Sequence, residues 1–218
     1  MNNGMILQKS SSFMFALLIV GAGMCIGAST SGWYTASLQN QERVFETATS
    51  FRSGPIELLR INRNIESIDK GKAIKIGEKF NGGEDWLRGT TFKLKNHANR
   101  QIIYLDLEIN FPETTSSGDE MSFSIVLGRR PNAKNQTKEP LLLDPGEEMS
   151  VTVDDLTYEK LERFLQPRHN TSSLSRARLN IGFVIFNDGI AWGAGNYYRQ
   201  NPNNPNHYIN IGEKPPND

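Results

Sequence analysis

Aromatic, amide and glycine residues are concentrated near the end of the chain, in FNDGIAWGAGNYYRQNPNNPNHY at residues 186–208. Tyrosine, tryptophan and arginine often dominate the binding energy of interfaces. The pair Asp188-Gly189 predicts a hairpin turn, since glycine tolerates the positive φ that tight turns require. The candidate binding residues are Trp192, Tyr197, Tyr198 and Arg199, with Asp188 and Gly189 shaping the turn.

The same segment also has structural interpretations. Trp192 shares a predicted strand face with Ile190 and is expected to fill the core. The residues after Gly195 form either a recognition surface or an extended tail that covers an edge strand. An exposed flat row of Trp192, Tyr197 or Tyr198 would instead indicate a carbohydrate-binding module, and burial of Trp192 would weaken that alternative.

Few residues have the spacing that catalysis or metal binding requires. The three histidines, His97, His169 and His207, stand far apart in predicted loops, whereas metal ligands usually come at short spacings. There is no G-x-S-x-G motif and no Gly-rich phosphate loop. Asp106 and Glu108 share one face of a predicted strand, where alternation with apolar residues indicates a solvated face. The sequence therefore predicts a protein that is not an enzyme and has no metal or cofactor.

A hydrolase remains the last alternative. Its carboxylates would be Asp106, Glu108 or Asp188, and it requires a concave pocket that holds two of them.

The composition also limits the classes of molecule that the chain is expected to bind. The 24 basic and 24 acidic residues cancel, so the chain has no electrostatic footprint for nucleic acid. The single cysteine, Cys25, lies in the N-terminal apolar run, which excludes an internal disulfide. A protein partner is the remaining expectation.

The N-terminus has the pattern of an export signal. Lys9 precedes the apolar run FMFALLIVGAGMCIGA, and small residues follow. Cleavage near Gly27 or Ala28 is one alternative. Retention of residues 13–32 as a membrane anchor is the other, because this uncharged stretch is about as long as a bilayer is thick. Residues 1–32 are thus predicted to be a signal peptide or anchor helix, and the protein to be periplasmic or extracellular.

The rest of the chain is dominated by alternation of period two. In QIIYLDLEINF (residues 101–111) the apolar face is expected to comprise Ile103, Leu105, Leu107, Ile109 and Phe111. The same pattern occurs at 92–94, 121–127 and 149–153, and more weakly at 56–61 and 73–76. Residues 179–186 are apolar on both faces, which is typical of a central strand.

Turn and helix signals separate these strands. Tight turns are predicted at NHAN (residues 96–99) and DPG (residues 144–146). One helix is expected after an N-cap at Asp154 or Asp155, with apolar residues at helical spacing, ending before Pro167. Residues 33–55 are interpreted as a spacer in which 38–50 could form a short helix.

These elements predict a β-sandwich of seven to nine strands over residues 56–212, followed by a disordered tail at 213–218. The succession FKLKNHANRQIIYLDLEINFP, LLLDPGEEMSVTV and FVIFNDGIAWGAG resembles exported bacterial domains of immunoglobulin-like sandwich type, over residues 87–211. The resemblance implies an immunoglobulin-like fold and an exported location, and carries no functional residue over. We therefore expect an exported, non-enzymatic protein with an interaction or structural role at the cell envelope.

Overall fold

The computed structural model describes residues 41–63, 73–117, 119–131, 139–167, 169 and 171–214. These residues belong to one compact unit. The predicted signal or anchor segment at 1–32, residues 33–40 and most of the predicted tail at 213–218 lie outside the described residues.

The described residues are mainly β. The strands are β1 (Gln41–Thr47), β2 (Ile56–Arg63), β3 (Ala73–Ile74), β4 (Lys79–Gly82), β5 (Thr90–Asn96), β6 (Ile102–Phe111), β7 (Met121–Gly128), β8 (Glu148–Thr152), β9 (Arg176–Phe186), β10 (Ile190–Gly193), β11 (Asn196–Asn201) and β12 (Asn204–Gly212). The α-helices are α1 (Ser50–Ser53) and α2 (Asp155–Leu165). Short 3-10 helices occur at Pro112–Ser117 and Thr171–Ser173.

Two sheets pack face to face, which confirms the predicted mainly β sandwich. The small sheet has the antiparallel order β3-β2-β5-β8. The large sheet has the order β12-β11-β10-β9-β1-β4, and β6 pairs with β9 and carries β7 on its far side. Residues such as Phe92 and Leu94 of β5 and Leu105 and Leu107 of β6 are buried between the sheets. The part of the chain described has twelve strands and two helices, more than the sequence predicted.

The region interpreted as a spacer with a short helix contains strand β1, so this prediction was wrong for residues 41–47. Strand β1 pairs in parallel with β9 and antiparallel with β4, and Phe45 is buried. The sequence does not show an apolar alternation in β1, because the second buried position of this strand is the charged residue Arg43. The Arg43 guanidinium is fully buried and donates to the backbone oxygens of Leu174, Ser172 (2.9 Å) and Gly83 (3.3 Å).

Strand β9 is shared between two branches of the large sheet. One edge of β9 pairs with β6, while the other pairs first with β1 and then with β10. In the interval between β1 and β10 along this edge of β9, Ser50 of α1 accepts a hydrogen bond from the Ile181 N–H (3.0 Å) and donates to Asn180 Oδ1 (2.7 Å). The one-turn helix thereby satisfies a backbone donor that has no strand opposite it.

Register shifts change which residues of β6 and β9 face the core. Gly182 is an extra residue on β9, so Ile181 and Val184 both join the core, whereas Phe183 packs on the opposite face of the large sheet. A bulge reverses the alternation beyond it. Residues 179–186 are thus apolar at both odd and even positions because the face that meets the main core switches at the bulge. For the same reason Ile103 does not join the predicted core face of β6, which holds from Leu105 onward.

Helix α2 and both turns are confirmed. Asp154 Oδ1 accepts the Thr157 N–H (2.8 Å), and Tyr158, Leu161 and Leu165 are buried. The NHAN turn is held by Asn96, whose Nδ2 donates to the carbonyls of Arg100 (2.8 Å) and Leu143 (2.9 Å). In the DPG turn the Glu147 N–H donates to Asp144 O (3.0 Å), and Gly146 has a φ of 78°.

Candidate functional site

The six residues predicted to bind do not form one surface. Trp192 is 1% exposed and belongs to the core between the sheets. A buried indole offers no face to a ligand, so its assignment to a binding surface is corrected, while its expected role in the core is confirmed. Asp188 and Gly189 do shape the hairpin turn: Asp188 Oδ1 accepts the Ile190 N–H (3.0 Å), and Gly189 has a φ of 81°. The Asp188 carboxylate also pairs with Arg100 at 2.9 Å.

Tyr197, Tyr198 and Arg199 alternate between the two faces of β11. Tyr197 packs against the main core, and burial raises the pKa of its hydroxyl. Tyr198 packs on the other face, with its ring 6.1 Å from that of Phe183. Arg199 is exposed. The flat aromatic row required for a carbohydrate-binding module therefore does not form from these residues.

The segment after Gly195 extends the large sheet as a hairpin of β11 and β12. A two-residue turn joins β10 to β11, with positive φ at Ala194 (49°) and Gly195 (83°), the conformation that such hairpins favour. Strand β12 is the terminal strand of this path through the sheet, and most of its residues are exposed. Ile209 and Ile211 are 47% and 38% exposed. The predicted tail is thus itself an edge strand.

A cleft lies on the face of the large sheet opposite the main core. We call it the outer cleft, and its volume is about 430 Å³, within the range of small-ligand sites. It is lined by Asp106 and Glu108 of β6, Gly182 and Phe183 of β9, Arg130 and Pro131 after β7, and Pro205, Asn206 and Tyr208 of β12.

Two glycines create room for the side chains of the cleft. A Cβ on Gly182 would lie 2.5 Å from Glu108 Oε1, and a Cβ on Gly193 would lie 2.6 Å from Phe183 Cδ2. Both distances are shorter than real contacts allow, so Glu108 and Phe183 keep their positions only beside glycine. Over the small β10 residues, Phe183 reaches Tyr208, with the rings 5.5 Å apart and nearly perpendicular.

The charges of the cleft are unevenly compensated. Burial raises the pKa of Asp106, while a hydrogen bond with Ser124 and the charge of Arg130 act in the opposite direction. Asp106 Oδ1 is buried and has no hydrogen-bond partner among the described residues. Glu108 Oε2 accepts a hydrogen bond from Asn180 Nδ2 (2.6 Å). The Arg130 guanidinium lies 5.0 Å from the ring centre of Tyr104 and 5.6 Å from that of Phe183.

Sequence reasoning singled out Asp106 and Glu108 but interpreted them as a solvated strand face. Their pairing on one face is confirmed, yet this face is concave. The residues it missed are Arg130, Gly182 and Phe183, and it considered Tyr208 only as part of the C-terminal aromatic stretch. Phe183 belongs to the apolar run that predicts a central strand, and the bulge at Gly182 turns its side chain away from the main core. No local pattern indicates that Arg130 and Tyr208 meet, because one follows β7 and the other lies in β12.

Neither a metal-binding cluster nor a membrane-spanning helix occurs in the ranges that the structure describes. Within these ranges, no group of three or more His, Cys, Asp or Glu residues could hold a metal ion. His97 and His207 are exposed, and His207 lies in β12 rather than in the predicted loop. No helix in the described part of the chain has the length and apolar character needed to span a membrane.

The comparisons with known proteins found no matching family model, no matching characterised protein and no matching solved structure.

Proposed function

We propose that this chain is an exported, non-enzymatic protein that binds a protein partner at the bacterial cell envelope. The proposal includes a signal peptide or membrane anchor at residues 1–32 and an immunoglobulin-like sandwich. Its support is the export pattern of the leader, the order of the strands and the properties of β12.

The strand order supports the immunoglobulin-like assignment. In this proposal β2, β5 and β8 correspond to strands A, B and E of such a sandwich, and β6, β9 and β10 correspond to C, F and G. Strand β7 then extends the sheet beside β6, and β1, β3, β4, β11 and β12 are additions to this plan. The chain departs from antibody domains because it has one cysteine and no tryptophan in β6.

Strand β12 is the observation that carries the binding role. Soluble proteins usually protect a sheet edge with charged residues, short length or covering segments. This edge strand is nine residues long, contains no Lys, Arg, Asp or Glu, has one proline, Pro205, at its second position, and exposes Ile209 and Ile211. Such an edge suits addition of a strand from a partner, in which backbone hydrogen bonds supply affinity and alternate side chains supply specificity.

Cross-linking in envelope preparations tests this role. The native chain is compared with a variant carrying Ile209→Lys and Ile211→Lys, because charges on an edge oppose strand addition. The matched control carries Leu142→Lys and Leu156→Lys, which are exposed apolar residues elsewhere (66% and 56%).

We expect one protein to be cross-linked to the native chain and the control, and its Kd for the edge variant to weaken about ten-fold or more. An edge variant that folds and retains the same partner with unchanged Kd would refute the role of β12.

Export is tested separately by cell fractionation. The full chain should reach the periplasm or the exterior, and a chain without residues 1–32 should stay inside the cell. The mass of the mature chain then separates cleavage near Gly27 or Ala28 from a retained anchor.

The carboxylate-dependent hydrolase is the second candidate. The outer cleft meets its stated requirement, because it holds both Asp106 and Glu108. A carboxyl group whose pKa is raised by burial suits a general acid, whereas Asp188 lies in the hairpin turn and does not line the cleft. Turnover of p-nitrophenyl glycosides that is lost in Asp106→Asn and Glu108→Gln would establish this activity.

A further inference from the structure

The outer cleft has the composition of a site for a ligand that donates hydrogen bonds. A buried carboxylate oxygen without a donor is costly, and Asp106 Oδ1 is such an atom among the described residues. Glu108 lines the same cleft, with its Oε1 above Gly182. Both carboxylate side chains line the cleft, so a ligand that brings donors would bind against them.

The position of Arg130 disfavours a cationic ligand. Its guanidinium already lies over one face each of Tyr104 and Phe183, where it makes the cation–π contact that an incoming cation would otherwise make. Its charge also acts on Asp106 and on Tyr208. An incoming ammonium group would therefore meet a like charge.

A hydroxyl group matches this mixture better than a cation does. Each hydroxyl donates one hydrogen bond and accepts others, so neighbouring hydroxyls can donate to the carboxylates while accepting from Arg130 or the Asn206 amide. The perpendicular rings of Phe183 and Tyr208 provide an apolar wall for the C–H face of a sugar ring.

We propose that the outer cleft binds a saccharide through Asp106, Glu108 and Arg130, with Phe183 and Tyr208 contacting the ring. This site is separate from the row of aromatics that the sequence indicated. Both proposals involve β12 but use different faces of it, because Ile209 follows Tyr208 and points to the other face of the strand.

The test is titration calorimetry with defined sugars. The probes are cellotetraose, maltotetraose, mannotetraose and chitotetraose, and the cationic probe is Nα-acetyl-lysine methyl ester. Sedimentation with purified peptidoglycan distinguishes a free oligosaccharide from a wall-bound glycan. The variants are Asp106→Asn, Glu108→Gln and Phe183→Leu, each checked by thermal unfolding. The matched control is Glu57→Gln, an exposed carboxylate in the small sheet.

We expect at least one saccharide or the wall glycan to bind, and each cleft variant to weaken Kd about ten-fold or more while Glu57→Gln leaves it unchanged. Cleavage of the bound sugar would still support the site and would add the hydrolase activity. Binding of the lysine ester alone, or saccharide binding that Asp106→Asn and Glu108→Gln do not weaken, would overturn the proposal. Absence of binding to all four oligosaccharides and to peptidoglycan would also overturn it.

The outcome for the cleft is distinguishable from that for β12. Loss of sugar binding in Asp106→Asn with the protein partner retained would concern the cleft alone. Loss of the partner in the Ile209→Lys and Ile211→Lys variant with sugar binding retained would concern the edge alone.

Discussion

The carboxyl group of Asp106 is partly buried. Its Oδ1 has no donor in the described part of the chain, and burial raises its pKa above the usual 3.8. The folded state therefore holds a proton more tightly than the unfolded state does. Folding stability consequently falls as pH rises from about 3.8 through the raised pKa.

Asp106→Asn should remove this pH dependence. The amide has the same shape and no charge, so we expect its Tm to exceed that of the native chain by roughly 2–4 °C at about pH 7. The difference should shrink as pH falls toward about 4, where the native carboxyl becomes neutral. Scanning calorimetry across this range measures it. A difference that stays constant with pH, or grows on acidification, would contradict the assignment.

Two glycines with positive φ form a matched pair. Gly128 (φ 73°) and Gly146 (φ 78°) have similar backbones, but a Cβ on Gly128 would lie 2.7 Å from Leu141 Cβ, whereas nothing lies within 4 Å of one on Gly146. We expect Gly146→Ala to cost about 1–2 kcal/mol from the backbone alone. Gly128→Ala should cost at least about 2 kcal/mol more because of the clash. Equal costs, measured by urea denaturation, would refute this account.

At the scale of elements, the large sheet depends on how β9 changes partner. Strands β1 and β10 pair with the same edge of β9 at different positions, and α1 fills the interval. Gly54 completes this junction, since a Cβ there would meet Trp192 and Ile181 at 3.0 and 3.2 Å. The core tryptophan thus packs against the turn that follows β1.

Ser50→Ala tests this junction. Removal of the hydroxyl leaves the Ile181 N–H without an acceptor and Asn180 Oδ1 without this donor, so we expect a loss of about 1–3 kcal/mol in the free energy of unfolding. Ser53→Ala, at an exposed position of the same helix, is the control and should change stability by less than about 0.5 kcal/mol. Amide exchange at Ile181 should accelerate in Ser50→Ala only. Unchanged protection there would argue against the bridging role of α1.

At the scale of the whole molecule, the hairpin of β11 and β12, which we call the extension, packs largely apart from the core of the sandwich. The main core contains buried residues of β1, β2, β5, β6, β8, β9, β10 and α2, and β11 adds only Tyr197 to it among the described residues. The extension instead forms one wall of the outer cleft and the exposed edge. Both proposals therefore depend on the extension more than the fold does.

A chain ending at Gly195 should still unfold cooperatively. Loss of Tyr197 packing and of the β10–β11 pairing is expected to lower Tm by roughly 5 °C. A chain ending at Lys214 is the control and should match the full chain. Cooperativity is read from the agreement of calorimetric and van't Hoff enthalpies. A truncated chain without a cooperative transition would show that the extension is part of the folding unit.

The sequence alone determined the features that arise from short-range patterning. Alternation from Leu105 to Phe111 identified β6 and its faces, Asp154 identified the start of α2, and glycines identified two turns. These signals suffice because side-chain direction in a strand and capping of a helix depend on residues close in the chain. Alternation failed at β1, where buried Arg43 is held by carbonyls of distant segments, and at β9, where a bulge reverses the phase.

Only the tertiary structure decided where the sites lie. Residues from β6, β9, β12 and the segment after β7 meet in the outer cleft because β9 pairs with β6 on one edge and leads through β10 and β11 to β12 on the other. The burial that raises the pKa of Asp106 and the space left by Gly182 exist only after that pairing. Sequence spacing carries no record of them, since strand pairing brings together residues that are far apart in the chain.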